Sequence, residues 1–279
     1  MTAPFPAYPS LSRYIPLAPI EEVLGRVGRS IEAREAITLV IGPPGTGKSL
    51  TSQILKHRFS QTHDVVSVGA TPLEDRSAVL RHILHSLGVR CDAHHEGDLH
   101  LALVDYVSRP DAPSGGLLLL VDEAQAMSPE TLEAIRMTTN IMVDNAPRVM
   151  AVVFGAPRLE EVLIDSLLDA FVQRVATRCY THPLSLDETR QYVIGVITGL
   201  EGNPAETITD GAISAVHHAC EGVPRLINHL MTAAIDGAAG ANRSLIDEPI
   251  VDAAWAQLQQ LPSPMIEPPV LGGDENLGV

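Results

Sequence analysis

Eight consecutive residues of the sequence have the types and spacing that bind the phosphates of a nucleotide. They fit the pattern G-x-x-x-x-G-K-[ST], follow an apolar run typical of a strand and open a helical pattern, which is the context that the motif requires. Glycines let backbone N–H groups approach phosphate oxygens, and a helix N-terminus adds partial positive charge. Lys48 is expected to reach the β- and γ-phosphates, and Ser49 to hold Mg²⁺. The predicted nucleotide-binding residues of the loop and its first helical turn are Gly42, Pro43, Pro44, Gly45, Thr46, Gly47, Lys48, Ser49 and Leu50.

Two carboxylates at the end of a second apolar run have the chemistry to complete such a site. Asp122 and Glu123 come directly after Leu117–Val121, a run of leucines closed by a valine. Ligands of open α/β sheets bind at the carboxyl ends of the strands. Asp122 is predicted to hold Mg²⁺ or its waters, and Glu123 to polarise the attacking water as a general base or an orienting group. Alone, the pair is more typical of an acidic helix cap, but beside the phosphate loop it predicts hydrolysis of ATP.

The elements that must position these residues alternate between strands and helices. An alternating series predicts an α/β fold with a parallel sheet covered on both faces, here a five-stranded one. The predicted strands are Ala36–Ile41, Val65–Val68, Leu117–Val121, Arg148–Phe154 and Val175–Thr181. The predicted helices of this part are Pro19–Ala33, Lys48–Phe59, Ser77–Leu87, Leu99–Val107, Pro129–Asn140 and Arg158–Leu168.

After Pro183 the strand pattern stops and helical periodicity continues. This change predicts an all-helical second domain that forms a lid over the first. Its predicted helices are Leu186–Leu200, Thr209–Cys220, Pro224–Ala239 and Glu248–Leu261. The predicted organisation is an N-terminal segment 1–16, a nucleotide-binding α/β domain 17–184, a helical lid 185–261 and a disordered tail 262–279 rich in Pro, Gly and acids.

Composition narrows the class of protein. The formal net charge of −15 disfavours a protein that coats DNA non-specifically, although a local basic patch can still bind phosphates. Three widely spaced cysteines without a C-x-x-C pair predict a reduced, cytoplasmic protein. The longest apolar runs are strand-sized, and no basic segment precedes an apolar run at the N-terminus. We therefore expect no membrane span, no direct membrane insertion and no signal peptide.

Two further clusters of chemically functional side chains are better explained by solvent exposure than by a binding site. A stretch rich in metal-ligating groups matches no zinc spacing pattern, so a solvated loop is favoured over a metal site. A second, basic group on a predicted helix is more typical of a solvated helix face than of a binding surface. The first cluster comprises Cys91, Asp92, His94, His95, Glu96 and His100, and the second Arg76, Arg81, His82, His85 and Arg90.

The loop sequence GPPGTGKS together with the DEAQ box at Asp122–Gln125 resembles the AAA+ superfamily of P-loop ATPases. The stretch Asp122–Asn140 is similar to the ATPase domain of the ExeA/GspA-type secretion ATPases, a broad group that also includes the transposition regulators TniB, TnsC and MuB. The resemblance covers about Ile15 to Leu258, nearly the whole predicted folded part. It implies ATP and Mg²⁺ as cofactors and assembly into a homo-oligomeric ring or filament.

The resemblance also implies roles for arginines outside the two motifs. Arg225, in a stretch similar to the sensor 2 motif, is expected to face the γ-phosphate from the lid, where it reports the phosphate and couples hydrolysis to domain motion. A solvated arginine at a helix N-terminus is the alternative. Arg174, or second Arg178, is expected to act on the ATP of a neighbouring subunit. An ordinary surface ion pair is as good an explanation for both.

The same resemblance places Tyr14, Ile15 and Ile20 over the adenine, although simple packing suits them equally. One departure concerns the strand Arg148–Phe154, which in the family ends in a polar sensor 1 residue. Here it runs into a glycine and Ala156, which have no polar side chain, so the efficiency of hydrolysis is in question. Gln125 is a candidate to compensate by holding water. Asp122 and Gln125 complete the predicted nucleotide-binding residues.

Three tasks are compatible with these features. The first is a motor of secretion or envelope assembly that acts on an unknown protein client. The second is a DNA-binding regulator that recruits a transposase, which the acidic composition softly disfavours. The third is a nucleotide-gated switch with negligible turnover, suggested by the missing sensor 1 side chain.

Overall fold

The computed structural model describes residue 5 and residues 10–69, 73, 75–90 and 95–259. The predicted tail 262–279 lies outside these residues, as do Cys91, Asp92 and His94 of the ligand-rich stretch. Within the described part, no helix has the length and apolar character needed to cross a bilayer.

A five-stranded parallel sheet forms the centre of the first part of the chain, as predicted. Its strand order is β2-β3-β6-β1-β7, so the strand that enters the phosphate loop, β1, lies between β6 and β7. A separate two-stranded antiparallel hairpin, β4–β5, precedes β6. The strands are β1 Ile37–Ile41, β2 Asp64–Val68, β3 Leu117–Val121, β4 Met142–Val143, β5 Ala146–Pro147, β6 Val149–Gly155 and β7 Val175–Tyr180.

The three central strands, β1, β3 and β6, are buried along their whole length and are apolar except for Thr38, because helices cover both faces of the sheet. Successive residues of β3 point to opposite sides: Leu118 and Leu120 belong to the core under α1 and α2, and Leu117 and Leu119 to the core under α3, α4 and α5. Full burial of one leucine side chain contributes roughly 1.5–3 kcal/mol. The helices of this part are α1 Ala18–Glu32, α2 Lys48–Phe59, α3 Arg76–Ser86, α4 Glu96–Ser108, α5 Pro129–Thr138, α6 Arg158–Val162 and α7 Asp169–Arg174.

The C-terminal part is helical and has its own core. Its first helix begins with a capping box, in which Ser185 and Glu188 each accept a hydrogen bond from the backbone N–H of the other. Phe5 and Leu17, which precede the sheet in the sequence, are buried in this helical core. The helices are α8 Leu186–Gly199, α9 Pro204–Thr207, α10 Asp210–Cys220, α11 Pro224–Gly240 and α12 Glu248–Gln259.

In two of the connections between sheet strands, the structure differs from the predicted elements. The single helix predicted over Arg158–Leu168 is wrong. The chain leaves the helix after Val162, and Asp165, in an extended conformation, accepts a hydrogen bond from Leu167 N–H and starts a 3₁₀ turn. The hairpin β4–β5 was not predicted. Its turn residues Asp144 and Asn145 both have positive φ, as a two-residue hairpin turn of this kind requires.

Candidate nucleotide-binding site

The phosphate loop connects the end of β1 to the start of α2, and its glycines are required by its shape. Gly47 has φ +98° directly before the first residue of α2, a left-handed conformation that glycine adopts without strain. A Cβ atom on Gly42 would lie 1.9 Å from Thr181 Oγ1 and 2.5 Å from the Thr181 carbonyl oxygen. The loop backbone therefore packs directly against the residue that follows β7.

Lys48 lies inside this loop. Its Nζ donates hydrogen bonds to the carbonyl oxygens of Gly42, at 2.6 Å, and Pro43, at 2.8 Å, and only 7% of the residue is exposed. Burial lowers the pKa of the Lys48 ammonium below its usual value, and the nearby carboxylates of Glu123 and Asp122 only partly offset this shift. The ammonium is thus held at the centre of the loop with two acids facing it.

Thr181 is a site residue that the motif analysis missed. Its hydroxyl hydrogen-bonds the hydroxyl of Thr46 at 2.7 Å, and Thr46 Oγ1 also donates to the carbonyl oxygen of Pro43 at 2.8 Å. The contact exists because β7 pairs with β1 in the sheet, which brings the end of β7 beside the loop. These two strands are far apart in the sequence, so no spacing in the sequence indicates the contact.

Asp122 lies beside the first turn of α2. Ser49 Oγ donates a hydrogen bond to Asp122 Oδ2 at 3.1 Å, and Asp122 Oδ1 accepts one from the Glu123 N–H at 2.9 Å. Carboxylate and hydroxyl oxygens are hard ligands of the kind that Mg²⁺ prefers. The pair that the sequence predicts as metal ligands is therefore adjacent and chemically suited to Mg²⁺.

Glu123 is exposed and lines the same cavity as Lys48. Its backbone is left-handed, with φ 54°, at the sharp turn after β3. Gln125 Nε2 donates to Glu123 Oε2 at 2.5 Å, and Gln125 Oε1 accepts from the Ala156 N–H at 2.8 Å. Gln125 therefore contacts the acid itself; in the described structure it does not line the cavity.

Two cavities meet at the loop. The first, of about 110 Å³, has a mixed lining that includes three charged residues and is called the polar cavity here; the second, of about 60 Å³, is mainly apolar. They share Gly47, Leu50 and Pro224, so the chambers are adjacent and suit a charged triphosphate and a flat base. The polar cavity is lined by Pro44, Gly45, Gly47, Lys48, Ser49, Leu50, Glu123, Pro224 and Arg225. The apolar one is lined by Ser10, Arg13, Ile15, Leu17, Ile20, Gly47, Leu50, Leu184, Tyr192, Val196 and Pro224.

The helical part reaches the phosphate loop through the first turn of α11. The Arg225 N–H donates to the carbonyl oxygen of Gly45 at 3.3 Å, and the Arg225 side chain lines the polar cavity. Ile15 and Ile20 line the apolar cavity, whereas Tyr14 donates from its hydroxyl to Glu21 Oε1 at 2.5 Å. The structure thus brings Arg225 and both isoleucines to the cavities.

Arg174 and Arg178 lie elsewhere. Arg174 is the last residue of α7, and its Nη2 donates to Asn140 Oδ1 at 2.7 Å on the surface. Arg178 is exposed on β7, and its carbonyl oxygen accepts a hydrogen bond from Arg26. Neither residue lines the two cavities.

Among the described residues, no group of three or more His, Cys, Asp or Glu side chains is arranged to hold a metal ion. Of the ligand-rich stretch, only His95, Glu96 and His100 fall within that part of the chain. Glu96 pairs with Arg76 at 2.7 Å instead.

Comparison with known proteins agrees with this geometry. Residues 31–163 match the family model of the AAA domain. This part of the chain is therefore similar to AAA domains. Over 222 residues the chain is 27% identical to the General secretion pathway protein A of Aeromonas hydrophila, which confirms the predicted resemblance to the ExeA/GspA type. The alignment covers 77% of this chain and 39% of that protein, so the chain spans about two fifths of its relative.

Solved structures share the fold of the sheet-containing part and the helical part together. The ORC2 protein of Aeropyrum pernix, in its ADPNP-ADP complexes, matches with a TM-score of 0.70 and 16% identity, covering 88% of this chain and 70% of that one. Drosophila ORC bound to DNA matches with a TM-score of 0.65 and 18% identity, covering 88% and 62%. The fold of the chain is therefore that of an AAA+ P-loop protein, as the sequence predicts.

Proposed function

We propose that the protein binds ATP with Mg²⁺ and hydrolyses it to ADP and phosphate. One observation carries the proposal: Lys48, Ser49 and Glu123 line one cavity, and Asp122 contacts Ser49 at its edge. A cation, a hydroxyl–carboxylate pair and an exposed acid at the end of parallel strands are the parts that phosphoryl transfer to water needs.

Each side chain has a task that follows from its position. Lys48 neutralises charge on the β- and γ-phosphates, and Ser49 and Asp122 hold Mg²⁺, which draws electron density from the phosphate oxygens when bound. Glu123 orients the attacking water and takes its proton. Arg225 contacts the γ-phosphate from α11, so that loss of phosphate changes the contact between the helical part and the loop.

The larger task that we propose is ATP-dependent assembly of copies of this chain, coupled to remodelling of a protein client. The relative is named a general secretion pathway protein, which supports a role in secretion or envelope assembly. Cys179 and Cys220 are buried and unpaired, which supports a reducing, cytoplasmic environment. The boundaries 1–16, 17–184 and 185–261 remain our proposed division of the chain.

The arginine proposed to act between subunits is Arg174, with Arg178 as the second choice. Because neither lines the two cavities of its own chain, we propose that either would contribute to hydrolysis in a neighbouring copy. Phosphate release per protein molecule is therefore expected to rise with protein concentration, and Arg174→Ala is expected to remove that rise. An arginine supplied in trans is worth about 10³-fold or more in rate. A rate per molecule that stays constant over the concentration range in wild type argues against action in trans.

A DNA-binding regulator is the alternative, and one surface favours it. On the exposed edge of β2, Ser67 contacts Lys56, at 3.5 Å, and the carbonyl oxygen of Ser67 contacts His82 Nε2, at 3.1 Å, with exposed Arg81 and His85 on the same helix. Basic groups clustered on an acidic chain are a local site for phosphates. A gel-shift at low salt, with and without ATP, tests it. ATP-dependent and salt-sensitive binding favours the regulator, and no shift disfavours it.

A further inference from the structure

Gln125 connects the acid at the cavity wall to the end of a neighbouring strand. Its nitrogen donates to the Glu123 carboxylate at 2.5 Å, and its oxygen accepts from the Ala156 N–H at 2.8 Å. Glu123 belongs to the turn after β3, and Ala156 follows β6, the strand beside β3 in the sheet. One half-buried side chain thus joins two strand ends at the site.

The two ends of the amide are not interchangeable here. The backbone N–H of Ala156 can only donate, so it fixes the carbonyl end of the Gln125 amide toward β6. The NH₂ end then faces Glu123, which as a carboxylate can only accept. Among the described residues, Gln125 is the hydrogen-bond donor that the structure gives to this carboxylate. The direction in which Glu123 points therefore depends on Gln125.

No side chain at the end of β6 occupies the position taken by the Gln125 amide. A Cβ atom on Gly155 would lie 2.6 Å from Leu159 Cδ2 and 3.3 Å from Gln125 Oε1, so a side chain at Gly155 would displace both. The residue after it, Ala156, has only a methyl group to offer. The polar group at the end of β6 consequently comes from Gln125 rather than from the strand.

We propose that Gln125 is a positioning residue for hydrolysis: it holds the Glu123 carboxylate in the orientation that activates water, using the Ala156 N–H as its anchor. The inference rests on the proposed hydrolysis of ATP and assigns the acid's orientation to a second residue. It replaces the expectation that Gln125 binds water or nucleotide directly. Because Gln125 does not line the cavity, its removal should affect turnover and leave nucleotide affinity unchanged.

The test compares Gln125→Ala with Gln53→Ala, which removes an exposed glutamine from α2. General-base catalysis contributes about 10²–10⁴-fold to the rate. We therefore expect loss of the Glu123 carboxylate's orientation to lower kcat about 10-fold or more. KM for ATP and the affinity for a fluorescent ATP analogue should stay within about twofold, since only the transition state loses an interaction. A kcat equal to or above that of Gln53→Ala would overturn the inference.

A second variant separates positioning from folding. Gln125→Glu has the same size and can still accept from Ala156, but it turns a carboxylate toward Glu123 in place of a donor. We expect kcat to fall at least as far as in Gln125→Ala, with analogue affinity retained as evidence of a folded site. Normal kcat in this variant would also overturn the inference. A wild-type rate no higher than that of Lys48→Ala would instead overturn the proposed hydrolysis, and this inference with it.

Discussion

Replacement of Lys48 by alanine is expected to abolish ATP binding. The Lys48 ammonium is buried in the loop beside the carbonyl oxygens of Gly42 and Pro43, where the phosphates must enter. A hydrogen bond to a charged group contributes about 1.5–3 kcal/mol, so loss of two such bonds to phosphate weakens binding at least about 100-fold. Titration with a fluorescent ATP analogue measures the affinity.

The matched control is Arg58→Ala, which removes one positive charge from the same helix. Arg58 is exposed and makes a 3.4 Å ion pair with Glu21, of the kind that contributes little to stability. Its ATP affinity should equal that of wild type. The melting temperature of Lys48→Ala shows whether the variant is still folded. Retained affinity in a folded Lys48→Ala protein would contradict the assignment of the nucleotide to this loop.

The fold was predictable from the sequence because the relevant signals are local. The buried leucines of Leu117–Val121 and the helical spacing of Val23, Leu24 and Val27 each identify an element without knowledge of its neighbours. The phosphate loop is similarly local, since its glycines and lysine are adjacent in the chain. The helical part was recognisable from the loss of strand patterns after Pro183.

Contacts between strands were not predictable in the same way. The order β2-β3-β6-β1-β7 places Thr181 beside Thr46 and Gln125 beside Ala156, and nothing in the spacing of those residues indicates either contact. The absence of a polar residue after β6 was visible in the sequence. Its physical explanation, that Gln125 and Leu159 occupy the space, required the structure.

The hairpin β4–β5 and the break after Val162 were missed for a different reason. Both depend on short polar side chains: the Asp144–Asn145 turn accepts positive φ, and Asp165 hydrogen-bonds its own backbone neighbourhood. The hydrogen bonds of such side chains replace helical backbone hydrogen bonds at only one or two positions. Hydrophobic periodicity is judged over a longer stretch of sequence, so it does not detect these local breaks. An Asp-Asn pair followed by Pro147 is the signal that would have indicated the turn.

Glu123→Gln is expected to bind ATP normally and to stop turning it over. The amide keeps the size of the side chain and can offer its carbonyl oxygen to Gln125 Nε2, so the turn after β3 should be retained. It cannot take a proton from water, and a general base contributes about 10²–10⁴-fold, so phosphate release should fall at least about 100-fold. The control is Glu130→Gln, an exposed acid on α5. Measurable hydrolysis by Glu123→Gln at the wild-type rate would show that the role assigned to Glu123 is wrong. Negligible hydrolysis in both wild type and variant would instead favour a nucleotide-gated switch.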